Sequence, residues 1–186
     1  MVLAPVALVS CQDFLNLESK VEITGHYLTT ADGIQREAAS LYYFERQSVT
    51  HDDAKVYWAH MLDSQTDIVF FRTSTAANIF RCLLTSEDSV VESFWEHFYK
   101  IIGKANEVIA NAEEYGLDDP AVKTAWGEAK FFRGRSYFEL WKRFERLYLN
   151  TLPTTIDNLD RDYSPSEKEA IFQVVKQDLD DAIEAL

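Results

Sequence analysis

Cysteine, glycine, proline and basic residues are all scarce in this chain, and each shortage excludes something. Two cysteines in 186 residues, Cys11 and Cys82, cannot build a disulfide framework. Six glycines leave little to build a phosphate cradle from, and the sequence holds no G-x-G-x-x-G, Walker A, H-E-x-x-H or G-x-S-x-G pattern. Nucleotide and hydrolase chemistry are not expected. The 18 basic residues face 31 acidic ones, a formal charge of −13. A phosphate backbone needs clustered Lys and Arg, so nucleic acid is excluded as a partner. An anionic bilayer surface is excluded for the same reason, and any membrane attachment must come through a lipid or another protein. The four histidines, His26, His51, His60 and His97, lack the spacing of zinc ligands; neither a metal nor a cofactor is expected.

What remains is a folded acidic protein, 47% apolar and 13% aromatic, of a length suited to one core. It opens with the apolar stretch Met1-Val-Leu-Ala-Pro-Val-Ala-Leu-Val-Ser-Cys11, shorter than the ~20 residues a spanning helix needs. Leu8-Val9-Ser10-Cys11 is similar to a lipobox, in which small residues admit a signal peptidase and the cysteine is then acylated. Residues 1–11 are therefore read as a signal remnant ending in the lipidation residue Cys11, and residues 12–186 as a helical domain. No basic stretch precedes the apolar one, which points to a misassigned start or a fragment. Cys82, in Ile79-Phe80-Arg81-Cys82-Leu83-Leu84, is expected to be a small buried residue.

Periodicity places the helices. Ile34, Ala38, Leu41, Tyr42 and Phe44 recur at three- and four-residue spacing and predict a first helix over 30–47. Residues 46–75 are polar and aperiodic, with the short apolar run Asp67 to Phe71 as the nearest approach to a strand, and are expected to form a long loop. A second helix over 90–115 carries Phe94, Trp95, Phe98, Ile101, Ala105, Val108 and Ala112, and Gly116 is its stop. Asp119-Pro120 supplies an N-cap and an N1 proline for a third helix through Ala125, Ala129, Phe132, Tyr137, Leu140, Trp141 and Phe144. Ser164-Pro165-Ser166-Glu167 has capping-box spacing before a final helix read from Ile171, Val175, Asp178, Leu179, Ala182, Ile183 and Leu186. That pattern stops on a core-type leucine, and the natural protein is expected to continue. The fold class is all-α: antiparallel helical hairpins in a tetratricopeptide-like stack.

Few constellations suggest chemistry. The pairs Glu113-Glu114, Asp118-Asp119 and Asp180-Asp181 are neighbours in sequence, whereas a glycosidase opposes two carboxyls across a cleft, so helix surface and caps are expected. Asn158-x-Asp160-x-Asp162 with Glu169 copies part of a calcium loop, but Tyr163 stands where the turn wants glycine. His97 is expected to be a satisfied structural imidazole, and Trp95, Trp126 and Trp141 to be core. Sugar recognition lays an aromatic face on a pyranose ring while amide and guanidinium groups bond its hydroxyls. Tyr57, Trp58 and Arg72 in the long loop, with Asn78 just beyond it, are the candidate ligand contacts.

The order of motifs resembles the SusD/RagB family of outer-membrane lipoproteins. Cys11-Gln12-Asp13-Phe14-Leu15 resembles the family's lipidated start, and Thr30 to Tyr42 its first helix. Trp95-x-x-x-Tyr99-x-x-Ile102-x-x-Ala105-Asn106 resembles its W-x-x-x-Y-x-x-I-x-x-A-N helix. Gly127-Glu128-Ala129-Lys130-Phe131-Phe132-Arg133-Gly134-Arg135-Ser136-Tyr137-Phe138 is close to its G-E-A-K-F-L-R-A-x-x-Y-F, with Gly134 in place of alanine. Leu152-Pro153 and Asp178-Leu179-x-x-Ala182 extend the likeness. The resemblance implies a glycan-binding protein without catalytic activity, lipid-anchored and exposed on the outer membrane, that hands oligosaccharide to a SusC-like TonB-dependent transporter. Arg133, mid-helix and flanked by apolar residues, is expected to snorkel or to tie its helix to a neighbouring carboxylate. The alternative is a helical-repeat scaffold that binds protein and no glycan.

Overall fold

A computed structural model describes residues 25–47 and 81–186. Five α-helices are described: α1 (Gly25–Leu28), α2 (Ala31–Gln47), α3 (Ser89–Tyr115), α4 (Pro120–Arg143) and α5 (Lys168–Ala185). Among the described residues there is no strand, only an isolated bridge between Leu147 and Ser166. None of their helices is long and apolar enough to cross a membrane.

Local chemistry sets the helix ends. Thr30 caps α2: its hydroxyl accepts from the Gly33 N–H at 3.1 Å, while its carbonyl accepts from Ile34 N at 2.9 Å. Gly33 is forced, because a Cβ there would lie 2.0 Å from the Tyr27 carbonyl oxygen of α1. α3 ends at Gly116, whose φ of 106° suits glycine and whose N–H bonds back to Ala112 O. Three residues later Asp119 accepts from Ala121 N and Val122 N ahead of Pro120. The turn is short, so α3 and α4 fold back on each other as an α-hairpin, with α2 against both.

The expected final cap is corrected. Ser164 and Pro165 stay outside the helix, and Glu167 is the N-cap of α5 without a side-chain bond. The reason is the bridge: Ser166 N donates to Leu147 O at 2.7 Å, which holds this stretch extended as a proline at 165 favours.

The core runs through the layer between these helices. Ile34, Ala38 and Leu41 of α2 meet Phe98, Ile101, Ala105 and Val108 of α3, then Val122, Ala129, Tyr137 and Leu140 of α4, and Ile171 and Val175 of α5. Each fully buried large aliphatic or aromatic side chain contributes about 1.5–3 kcal/mol. Small residues set the closest crossing: a Cβ on Gly127 would sit 2.7 Å from that of Ala185, and one on Gly134 3.1 Å from that of Asp178. α4 and α5 therefore approach closely enough for short side chains to pair. Not every expected apolar position is covered, since Tyr42, Ile183 and Leu186 are exposed. The layers are stacked helical hairpins of the tetratricopeptide-like kind.

Candidate functional site

The polar heart of the structure lies where α3, α4 and α5 converge. Arg133 reaches across from α4 and clamps Asp178 of α5 with both arms: Nε to Oδ2 and Nη2 to Oδ1, each 2.7 Å. A planar guanidinium matches a carboxylate in this two-bond geometry, and charge assistance strengthens both bonds. The remaining nitrogen, Nη1, donates to Asn106 Oδ1 at 2.9 Å and to Thr151 O at 3.3 Å. Lys130, one turn earlier on α4, lies 3.5 Å from Asp178 Oδ1 and 3.0 Å from Asp181 Oδ2. Two cations and two carboxylates therefore neutralise each other in a nearly buried cluster. Burial raises the Asp181 carboxyl, but hydrogen bonds from Lys130 and Gln177 outweigh it and hold the group below its ordinary range.

A second set of bonds fastens the long α4–α5 connection onto this joint. Tyr99 OH donates to Tyr148 O at 2.8 Å and accepts from Tyr148 N at 2.9 Å. Tyr137 OH does the same two residues on, donating to Asn150 O at 2.9 Å and accepting from Asn150 N at 2.7 Å. Asn106 Nδ2 reaches Asn150 O at 3.0 Å and Leu152 O at 3.2 Å. Further along, Arg161 donates to Asn150 Oδ1, Thr154 Oγ1 and Asn158, whose own amide reaches back to Pro153 O. Burial pushes the Tyr99 phenol up to about 12 and Tyr137 higher still, so both remain protonated donors.

On the opposite side of α3, buried Glu37 of α2 accepts from Asn111 Nδ2 at 3.2 Å. Lys104 Nζ lies 3.0 Å from its other oxygen, out of line for a directed hydrogen bond. Burial raises the Glu37 carboxyl despite that cation. An open cleft of about 230 Å³ separates the start of α4 from the end of α5. It is lined by Leu117, Asp118, Lys123, Trp126, Asp181 and Glu184 among others, with Trp126 Nε1 bonded to Glu113 Oε1 at 3.0 Å. Hydrogen bonding and aromatic contact are what these groups offer a ligand. Among the described residues no three His, Cys, Asp or Glu converge as metal ligands.

The lipidation residue Cys11 and the ligand candidates Tyr57, Trp58, Arg72 and Asn78 lie outside the described residues, as does the 67–71 run. Arg133 pairs with a carboxylate as expected. Asn158, the first position of the calcium-like spacing, turns its amide to Pro153, Thr155 and Arg161. Asp119 is a cap, whereas Glu113 and Asp181 are tied to Trp126 and Lys130. Trp95, Trp126 and Trp141 are half-buried at the core's margin. Two expectations are corrected. Cys82 is exposed, at φ 57° in a turn before α3, because its apolar neighbours do not continue a helix face there. His97 is buried, but its Nε2 has no hydrogen-bond partner, since its surroundings are the Phe98 ring and the cations Lys100 and Arg135. Burial first, then those cations, lowers its pKa to about 4. The reading of the residues missed the two tyrosine hydroxyls, Arg161 and the Lys130–Asp181 pair. The available signal was that polar Tyr99, Asn106 and Tyr137 interrupt otherwise apolar faces at helical spacing.

No sequence-family profile and no curated protein matches the chain. Solved structures do. A SusD-like protein from Bacteroides fragilis superposes with a TM-score of 0.65 at 18% identity, over 88% of this chain and 31% of its own. A structure solved with a xylogluco-oligosaccharide gives 0.61 at 21% identity, over 82% of this chain and 30% of its own. A third solved structure gives 0.63 at 20% identity. The chain spans about 30% of the length of the solved structures it matches. The described helices and their order thus compose a SusD-like fold.

Proposed function

We propose that the chain is part of a glycan-capturing nutrient-binding lipoprotein and carries out no catalysis. The observation that carries this reading is the superposition, over 82% of the chain, on a protein solved with a xylogluco-oligosaccharide. The same reading assigns Tyr57, Trp58, Arg72 and Asn78 to the sugar, as stacking faces and hydroxyl partners. It assigns Cys11 to acyl chains that hold the protein at the outer membrane, facing outward. Delivery is to a TonB-dependent transporter, a step that suits a binder held at the membrane beside its acceptor. A protein of net charge −13 accommodates neutral oligosaccharides without electrostatic penalty.

Isothermal titration of the encoded protein with xyloglucan, starch and mannan oligosaccharides tests the reading. Saturable heat with one class, lost in Trp58→Ala, is the expected result. No heat with any class, alongside a folded circular dichroism spectrum, removes glycan binding. Radiolabelled palmitate incorporated by the wild type and not by Cys11→Ser tests the anchor.

A further inference from the structure

We propose that Glu37 is a proton-operated latch: one proton taken up by its carboxyl seats α2 more firmly on the α3–α4 hairpin, so that this helix is held tightest in mild acid and loosens as pH rises. Glu37 is the charged residue that α2 buries, with 2% of its side chain exposed. Among the described residues its directed bond comes from Asn111 Nδ2 of α3, 3.2 Å from Oε2. Oε1 is buried without a hydrogen bond. The cation beside it, Lys104, stands 3.0 Å away and is shared, since the same Nζ donates to Glu107 at 2.7 Å. Two carboxylates divide one ammonium, and the buried one has the poorer part of it.

A buried carboxylate is tolerated when a cation and enough donors satisfy it, and is costly when they do not. Glu107 is 41% exposed and has water to help it; Glu37 has none. The neutral carboxyl has the same shape, keeps the Asn111 bond and leaves Lys104 to Glu107. Burial accordingly raises the Glu37 carboxyl in the seated helix, with Lys104 and Asn111 opposing and Glu107 adding to the rise. With α2 lifted, water reaches the group and its ordinary affinity for protons returns. The seated form therefore holds the proton to higher pH than the lifted form, and by linkage proton uptake favours the seat. That contribution is present in acid and is lost as pH rises through the seated midpoint.

The other charged groups on the elements packed against α2 are committed elsewhere. Tyr27 of α1 donates to Asp32, which also holds Arg36. On α3, Lys100 Nζ lies over the Phe44 ring, 4.7 Å from its centroid. On α4, Glu128 accepts from Tyr42 OH, and Arg135 pairs with Glu45. His97 of α3, beside Lys100 and Arg135, acts in the opposite sense, because acid charges it in a place that favours the neutral ring. The difference between the wild type and a Glu37 variant at each pH isolates the latch from that imidazole.

The test is amide exchange of the encoded protein, expressed as protection factors from about pH 5 to about pH 8, beside a carbon-13 titration of the Glu37 carboxyl. Protection across residues 31–47 is expected to fall about five-fold or more as pH rises, while the amides of α5 hold theirs. Glu37→Gln copies the protonated carboxyl and is expected to abolish that fall, keeping α2 protected at the upper pH. Glu107→Gln changes an exposed residue, leaves Lys104 to Glu37 alone and is expected to move the Glu37 midpoint to lower pH. It reads the proposal independently of how Glu37→Gln folds. A Glu37 midpoint at or below that of an ordinary glutamate, ~4.3, overturns the latch. So does α2 protection that is flat with pH in the wild type, or a fall that persists unchanged in Glu37→Gln.

Discussion

Replacing Asp178 with alanine removes the anion that Arg133 grips with two 2.7 Å bonds. The guanidinium keeps Asn106 Oδ1 and Thr151 O and still feels the more distant Asp181, but no carboxylate remains bonded to it, and its side chain is only 6% exposed. Lys130 retains Asp181 at 3.0 Å, so the second cation is not orphaned. Removing one member of a buried pair costs about 3–5 kcal/mol, mostly the desolvation of the charge left behind. That is a large share of the ~5–15 kcal/mol that holds a domain together. In urea, where slopes run about 1–3 kcal/mol/M, the midpoint is expected to fall by about 2 M. Arg133→Met with Asp178→Leu removes both charges, and much of the loss is expected to return. Monitored by tryptophan fluorescence and circular dichroism, a single-variant loss below about 1 kcal/mol would refute the reasoning. It would mean that water reaches Arg133 and that the joint is not a buried pair at all.

Three further outcomes follow from the geometry. His97 is neutral in the fold, with its pKa lowered to about 4, while in the unfolded chain it titrates near 6.5. The unfolded state therefore gains the proton first as pH falls, and stability is expected to drop from about pH 6.5 to 4, by up to roughly 3 kcal/mol; His97→Phe should flatten that limb in denaturant midpoints measured against pH. Tyr137→Phe strands the N–H of Asn150, whose carbonyl keeps Asn106 Nδ2, an expected cost of about 1–3 kcal/mol, with faster amide exchange at Asn150 as its local signature. Gly33→Ala drives a methyl to 2.0 Å from Tyr27 O, so α1 must shift, and a loss of about 1–3 kcal/mol in thermal unfolding is expected.

The helix ends were the most legible part of the chain, because their chemistry is local. Gly116 and Asp119-Pro120 carry stop and start signals within a few residues, and the structure uses both. The apolar faces of α2, α3 and α4 were equally readable, as Ile34, Ala105 and Leu140 are fully buried. That Arg133 pairs with a carboxylate was legible from its place among apolar helix residues, but its partner Asp178 lies 45 residues away, a separation that no periodicity spans. The fastening of the α4–α5 connection was hidden for the same reason: Tyr99 and Tyr148 are 49 residues apart and join side chain to backbone, where the sequence of the loop leaves no trace. The same long-range bonding misled the reading of Ser164, whose capping spacing is overridden by the bridge from Ser166 to Leu147. The candidate sugar contacts and the lipidation residue were read from sequence and lie outside the described residues, so the fold leaves them as sequence claims.

Tyr99 and Tyr137 address the peptide groups of Tyr148 and Asn150, each hydroxyl serving both the donor and the acceptor of one residue. Helices here do what a neighbouring strand does in a sheet, using side chains spaced along two helices in place of a ladder. A segment anchored by its backbone is indifferent to most of its own side chains. Loop positions such as Leu152, Ile156 and Leu159 can thus drift, or be exchanged by grafting, without loosening the attachment, and one scaffold can present many different surfaces to the outside world while its joint stays the same.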